Sequence, residues 1–338
     1  MGYGVAAVHQ STTIDVVIVN WNTGEQLGTC LAALSASLQE GFRFGRVVVV
    51  DNASADHSAE DLAFPALPLV VIQNDTNRGF GAACNQGAAG SVADYLLFLN
   101  PDARVLEDTL SKSIRWMELS EGSRTGITGV QLLDEKGEVS RNCARFLATR
   151  YFVYNMLGLN RLFPKTFPDI TYSEWNHLES RTIEHVMGAY FLIRSSLFLE
   201  VGGFDERFFV YLEDVDLSLR VRNAGWSSYY LATAQCYHSG CGSSNQIKAR
   251  RLFYALRSRI FYGFKHFGAL NAIGLLLMTL LIEPVTRVAR AILHGSLAEI
   301  REVAQAYLLL WGALPSILGN HYLRKAQAQK LNFEVSPR

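Results

Sequence analysis

Leu99-Asn100-Pro101-Asp102 decides how the first half of this 338-residue chain is read. The five residues that lead up to and include its first member, Tyr95-Leu96-Leu97-Phe98-Leu99, are apolar and bounded by turn formers, the pattern of a strand covered on both faces. Pro101 has no N–H to offer a sheet, so the ladder stops and Asp102 falls on the turn beyond it. Ligands of open parallel sheets bind just outside the carboxyl ends of the strands. A carboxylate placed there suits a hard cation, Mg2+ or Mn2+, which can in turn hold a diphosphate. Taken alone, Asp102 reads first as an aspartate that merely starts a turn.

It does not stand alone. Ile14 to Asn20 closes on Asn20-Trp21-Asn22-Thr23-Gly24, Val47 to Val50 on Asp51-Asn52-Ala53-Ser54, and Leu69 to Gln73 on Asn74-Asp75-Thr76-Asn77. Helical patterns follow the strands, over Glu25 to Leu38, a short one over Ser58 to Ala63, then Phe80 to Gly90 and Glu107 to Leu119. Such alternation predicts right-handed crossovers and an α/β fold with a parallel sheet. Asn20, Asn22, Asp51, Asn52, Asn100 and Asp102 then gather along one sheet edge.

With 49% apolar residues and a formal net charge of zero, the chain is neither disordered nor a bulk polyanion binder, and no nucleic acid is expected as partner. The charge is unevenly placed. No acid occurs between Lys248 and Ile282, whereas Lys248, Arg250, Arg251, Arg257, Arg259 and Lys265 are basic. Five cysteines without a CxxC pair point to free thiols in a reducing compartment. Cys236-x-His238-x-x-Cys241 lacks a fourth ligand at zinc spacing. The segment 1–13 reads as a flexible start without a secretory signal, and the apolar run Ala272 to Ile282 is too short to cross a bilayer, which takes about 20 residues. No transmembrane helix is expected, and nothing in the sequence sets an oligomeric state.

Further along, Gly126 to Leu133 reads as a strand and Asp134 to Gly137 as a turn. Arg141 to Trp175 has no clean period, as a binding loop or lid often does not. Ile183 to Arg194 is apolar but broken by Met187-Gly188-Ala189, and Glu213 to Ala224 is helical with acids in its first turn. Ser227 to Leu231 is a strand, and His238 to Ser244 a glycine-rich loop.

Four motifs occur in order: Asp51-Asn-Ala-Ser54; Asn77-Arg-Gly-Phe-Gly-Ala82 through Asn85-Gln-Gly87; Leu99-Asn-Pro-Asp102; and Gly202-Gly-Phe-Asp205 through Glu213-Asp-Val-Asp216. Each is weak by itself. As an ordered set they resemble the family-2 glycosyltransferases of GT-A fold, most closely the bacterial rhamnosyltransferase-like branch. The resemblance covers Ile14 to Ser244. It implies a GT-A domain over 14–244, a mixed, mostly parallel sheet, and a helical appendage over 245–338.

The resemblance also implies roles. A nucleoside-diphosphate sugar is the donor, and Asp51 accepts the imide N–H of uracil or thymine; the alternative is an Asx turn with Asn52 and Ser54. Gly79 and Gly81 let the backbone approach the nucleotide, Asn85 lies on the same donor side, and Arg78 is either near the phosphates or an ordinary surface arginine. Asn100-Pro101-Asp102 corresponds to the family's Asp-x-Asp metal motif with its first acid replaced. Asp102 would hold Mg2+ or Mn2+ with donor oxygens and water, and His238 is either a further ligand or structural. Asp214 matches the base that takes the acceptor proton in inverting transfer. Glu213 beside it is expected to raise its pKa by like-charge repulsion, and Gly188 and Ala189 to orient the acceptor. Asp216 and Arg220 read as a helix salt bridge.

The stretch Arg251 to Lys265 mixes aromatic and basic residues at helical spacing. It fits either a helix in an anionic membrane interface or one packed on the catalytic domain with solvated arginines. The leading expectation is an inverting, metal-dependent transferase moving L-rhamnose from dTDP-rhamnose to a lipid-linked or polysaccharide acceptor, cytoplasmic and peripheral on the inner face of the membrane. Rhamnose rests on the resemblance alone. Two rivals are a nucleotidyltransferase, which leaves Glu213-Asp214 without a task, and a catalytically silent sugar-nucleotide-binding membrane scaffold.

Overall fold

The computed structural model describes residues 12–240 and 248–334, with side chains as far as residue 319. Most of the N-terminal segment and the Cys241 to Ser244 part of the glycine-rich loop therefore lie outside the described residues.

The sheet-bearing part of the chain begins β1 (Thr12–Asn20), α1 (Glu25–Ser35), β2 (Phe42–Asp51), β3 (Leu69–Gln73), α2 (Phe80–Ala88), β4 (Tyr95–Leu99), β5 (Ala103–Val105), α3 (Thr109–Glu118) and β6 (Thr125–Leu133). Short pieces follow: β7 (Val139–Ser140), β8 (Cys143–Ala144), α4 (Thr149–Met156), α5 (Leu159–Leu162), β9 (Arg181–Ile183) and β10 (His185–Val186). Then come β11 (Tyr190–Arg194), α6 (Ser195–Glu200), α7 (Glu213–Asn223) and β12 (Ser227–His238). The main sheet runs β3-β2-β1-β4-β11-β6-β12-β5. The strands β3, β2, β1, β4, β6 and β12 point one way, and β11 and β5 are reversed. This is the mixed, mostly parallel α/β sheet expected.

Alternation along each strand builds two core layers. Val16, Ile18, Val47, Val49, Leu97 and Leu99 face α1 and α3, whereas Val17, Val19, Val48, Val50, Leu96 and Phe98 face α2, α6 and α7. Continuous apolar runs are what a strand covered on both sides requires. The chain leaves β1 toward β2 on one side and returns to β4 on the other, so the strand order reverses at β1. A crevice at the carboxyl ends follows, flanked by Asn20, Asp51 and the turn after Leu99.

Several local expectations are corrected. Residues 58–63 form turns rather than a helix, because Asp56 takes both the amide and hydroxyl of Ser58 and because His57 and Asp61 adopt left-handed φ of 60° and 51°. The strand expected to end at Leu231 continues to His238 through a register shift between Leu231 and Gln235. The aperiodic segment holds the helix α4.

The remainder is helical: α8 (Lys248–His266), α9 (Ala269–Leu277), a π-helical turn over Met278–Ile282, α10 (Glu283–Leu293) and α11 (Leu297–Glu334). Of the two readings of Arg251 to Lys265, packing prevails. Leu256, Ile260, Phe261 and Tyr262 are buried with Leu147, Phe208 and Val215 of the sheet-bearing part and Val303, Tyr307 and Leu310 of α11. Arg259 pairs with the buried Glu283, and Arg257 lies over the Phe261 ring at 5.0 Å. Lys265 reaches Asp205 at 2.7 Å and Asp216 at 2.6 Å. These cations are therefore not a solvated face. The apolar run is also longer than its sequence core: α9, the π turn and α10 make one 25-residue helix over Ala269–Leu293, long and apolar enough by length and composition to cross a membrane.

Candidate active site

Asp214 sits in the first turn of α7, placed there by an unusual approach. Tyr211 and Leu212 both have φ of 69°, left-handed for side chains that rarely accept it. The strain is held from both sides. Phe208 is buried in the core, the Val210 carbonyl accepts from Ser258 Oγ at 2.8 Å, and the Phe209 carbonyl accepts from the Phe80 amide at 2.7 Å.

Once there, Asp214 Oδ2 accepts from the Gly188 amide at 3.1 Å and lies 3.5 Å from His185 Nε2, while Oδ1 takes the Val215 amide at 2.8 Å. His185 is buried, and its Nδ1 meets Ser218 Oγ at 2.9 Å. With the serine hydroxyl donating to Nδ1, Nε2 carries its proton toward the carboxylate. Burial alone would push Asp214 up. The His185 imidazole and the Val215 and Gly188 amides outweigh it and hold the carboxyl below its ordinary value. Burial pushes Glu213 well up, with the Asp214 charge adding to the effect, and its Oε2 has no hydrogen-bond partner. The sequence expectation is thus reversed. Of the two carboxyls, Glu213 is the one held high and Asp214 the one held low.

The second acidic centre adjoins the first. Ala189, next to Gly188, accepts the Asn100 amide at 3.0 Å. The Asn100 side-chain amide lies 3.3 Å from His238 Nε2, and that nitrogen lies 3.3 Å from Asp102 Oδ1. Asp102 and His238 line an open cavity of about 380 Å³ with Glu25, Cys30, Glu135 and Tyr237. Among the described residues no cluster of three or more His, Cys, Asp or Glu is set to hold a metal. One carboxylate and one imidazole nonetheless fit Mg2+ or Mn2+ when phosphate oxygens and water complete the shell. A larger cavity, about 700 Å³, lies at the opposite strand ends, where Asp15 pairs with Arg46 and Asp94 accepts from Thr13.

Asp51 is drawn into its own loop. Its carboxylate accepts from Asn20 Nδ2 at 2.8 Å, from Ser54 Oγ at 2.5 Å and from the Ser54 amide at 3.1 Å, the Asx turn weighed as the alternative. Asn22 joins the same knot through its amide to Ser54 Oγ and its Oδ1 to the Ala55 amide. Asn52 braces the next loop by accepting from Asn74 Nδ2 and the Arg78 amide and donating to the Gly79 carbonyl. The Arg78 side chain is exposed.

Three donor-side expectations change in meaning. At Gly79, with φ of +88°, a Cβ would lie 2.4 Å from the Phe209 carbonyl, and at Gly81 it would lie 3.1 Å from Phe204 Cβ. These glycines admit the close approach of the chain's own 204–209 loop. Asn85 clamps the same loop, bonding the Phe204 amide and carbonyl at 2.9 Å each and Glu206 at 3.0 Å. Lys265 and His266 of α8 join it to Asp216 of α7, and Lys265 also to Asp205 of the preceding loop, while Arg207 and Arg220 pair with the same two carboxylates. The residue that sequence reasoning missed is His185. It sits in a two-residue strand with no motif around it, and only tertiary folding sets it against Asp214.

A mixed, mostly parallel sheet with acidic groups at its carboxyl edge and a helix-borne aspartate beyond it is an arrangement of GT-A type. Among solved structures it is similar to the mannosyltransferase PcManGT of Pyrobaculum calidifontis, solved with GDP-Man and Mn2+, at a TM-score of 0.51 and 17% identity over 96% of this chain and 87% of the other. Residues 15–202 match glycosyl transferase family 2, and the chain belongs to that family. It is 30% identical over 275 residues, 75% of this chain and 85% of the relative, to the N-acetylglucosaminyl-diphospho-decaprenol L-rhamnosyltransferase of Mycobacterium tuberculosis. It is 28% identical over 173 residues, 50% of this chain and 61% of the relative, to the rhamnosyltransferase WbbL of Escherichia coli.

Proposed function

We propose that the chain is an inverting glycosyltransferase that moves L-rhamnose from dTDP-rhamnose to a lipid-linked or polysaccharide acceptor, working peripherally on the inner face of the cell membrane. The observation that carries the reading is the unbroken chain of contacts from Asp102 through His238, Asn100 and Ala189 to Gly188 and Asp214. It sets a candidate diphosphate anchor and a candidate base on either side of one strand end. The relatives support rhamnose as the sugar and a lipid diphosphate as the acceptor.

In the proposed reaction Asp214 takes the acceptor hydroxyl proton as that oxygen bonds to the anomeric carbon. The bond from that carbon to the diphosphate oxygen breaks on the opposite face, and the nucleoside diphosphate leaves. The lowered pKa of Asp214 sacrifices some basicity but keeps the base ionised at neutral pH. The Gly188 amide and His185 fix its orientation. Asp102 and His238 would hold the divalent cation, which when bound supplies charge neutralisation for the diphosphate. Asp51, already accepting three bonds at close to a full shell, would offer a remaining lone pair to the base.

The test is a screen of nucleotide sugars, with and without Mn2+, against a polyprenyl-diphosphate-GlcNAc acceptor, reading nucleoside diphosphate release and product mass. Metal-stimulated release from dTDP-rhamnose with a rhamnosylated product is expected. Pyrophosphate release from a nucleoside triphosphate and a sugar phosphate would instead make it a nucleotidyltransferase, and turnover of neither would leave only a binding protein.

A further inference from the structure

The helix Ala269–Leu293 has two unlike faces. Ala272, Leu275, Thr279, Glu283 and Ala291 are buried against the protein. Tyr307 of α11 donates to the Thr279 carbonyl at 3.0 Å, and Glu283 is paired with Arg259 of α8 and with Arg287. Away from that side, Leu270, Ile273, Leu277, Leu281, Val285 and Ile292 are 40–90% exposed, from 47% at Ile273 to 87% at Leu270. The first five are three or four residues apart, so they form one stripe. Only 22% of the helix's apolar stretch is buried. A row of large aliphatics along a 25-residue helix is more than scattered surface apolarity.

We propose that this stripe is a membrane-docking face, lying in the plane of an anionic bilayer with its aliphatic side chains in the headgroup–acyl boundary. Charge selects the occupant. Residues 248–319 hold nine Lys and Arg against three acids in a chain that is neutral overall, and Lys248, Arg250, Arg290 and Arg301 among them are exposed. An aliphatic stripe within a net-basic helical region, with Arg290 exposed on the same helix, matches anionic headgroups above an acyl layer. The buried side of the helix excludes a spanning arrangement. Crossing the bilayer would carry α8, with Arg257, Arg259 and Lys265, and the α7 carboxylates bound to it into hydrocarbon. This refines the membrane location proposed above, and it moves the contact from the α8 arginines to the α9–α10 aliphatics.

The experiment co-sediments the full chain with vesicles of phosphatidylethanolamine and phosphatidylglycerol, and with phosphatidylcholine vesicles as the neutral reference. L277Q/L281Q, at positions 50% and 64% exposed, should reduce binding to the anionic vesicles by about tenfold or more. Donor hydrolysis in solution should stay unchanged, so a failed docking face and a failed enzymatic reading give separate results. R257Q should leave vesicle binding within about twofold, because that guanidinium faces Phe261 rather than lipid. A second readout places a fluorophore at L281C, and at L199C of the exposed α6 surface as control, in a C241S background. Lipids carrying a quencher at a shallow acyl position should quench the first and not the second. Equal sedimentation of wild type and L277Q/L281Q overturns the proposal. So do quenching greatest at the bilayer midplane, which means a span, and a wild-type dimer that L277Q/L281Q dissociates without any vesicle binding, which means a second copy covers the stripe.

Discussion

Replacing Asp216 by Asn should destabilise the protein by about 3 kcal/mol. The Asp216 carboxylate is fully buried and has Lys265 at 2.6 Å, His266 at 2.7 Å and Arg220 at 2.9 Å. Asn keeps the volume and one acceptor oxygen but leaves those cations facing a neutral group. Removing one member of a buried ion pair costs about 3–5 kcal/mol. Lys265 retains Asp205 at 2.7 Å, and Lys265 and Arg220 are 22% and 20% exposed, which places the loss at the lower end. Lys265→Met should cost less, about 1–2 kcal/mol, because Asp216 keeps two partners. Urea unfolding read by fluorescence, with unchanged m, measures both variants and their coupling. The pH dependence has a definite sign. Burial would raise Asp216, but His266, Lys265 and Arg220 outweigh it and hold its carboxyl low. Its stabilisation is therefore present above the unfolded aspartate value of about 3.9 and is lost as pH falls through the lower folded value. The gap between wild type and Asp216→Asn should close in that acid range. A loss below about 1 kcal/mol at pH 7 would refute the role of this cluster in fixing α8 to α7.

Three further outcomes follow from the site. His185→Asn removes the leading influence that lowers Asp214, so the acid limb of kcat/KM should move to higher pH, and an unmoved limb would dismiss the positioning role. Glu213→Gln should gain stability over wild type as pH rises from 5 to 8. The folded pKa of Glu213 is raised, so its contribution is intact below the unfolded value and declines above it, a trend that thermal melts across that window will show or fail to show. Asp102→Ala should weaken metal-dependent donor binding by about tenfold or more in calorimetry, whereas identical metal dependence would remove Asp102 as the anchor.

The sheet was legible because its strands are continuous apolar runs ending in polar turns. Val47 to Val50 and Tyr95 to Leu99 admit few other readings, and their order with the helical patterns fixed the parallel frame. Asp214 was legible through its motif, but its electrostatics were not. Sequence shows Glu213 beside it, whereas His185 arrives from β10, distant in the chain and without a local signature. Gly79, Gly81 and Asn85 stand out in the sequence, but a glycine reports close approach without naming what approaches, and the 204–209 loop that meets all three is visible only after folding. The basic stretch of α8 left two readings open for a related reason. Its basic residues match an interfacial helix by spacing, and only the positions of Glu283, Asp205 and Asp216 reveal that Arg259 and Lys265 are paired inside the protein.

The central claim is that Asp214 is the base of a glycosyl transfer. Single-turnover and steady-state release of nucleoside diphosphate by Asp214→Asn, with donor affinity measured in parallel, tests it most directly. The account predicts a fall in kcat of about 10²–10⁴ with donor affinity within a few-fold of wild type, because the variant keeps shape and loses only the proton acceptor. Turnover near the wild-type rate would contradict it.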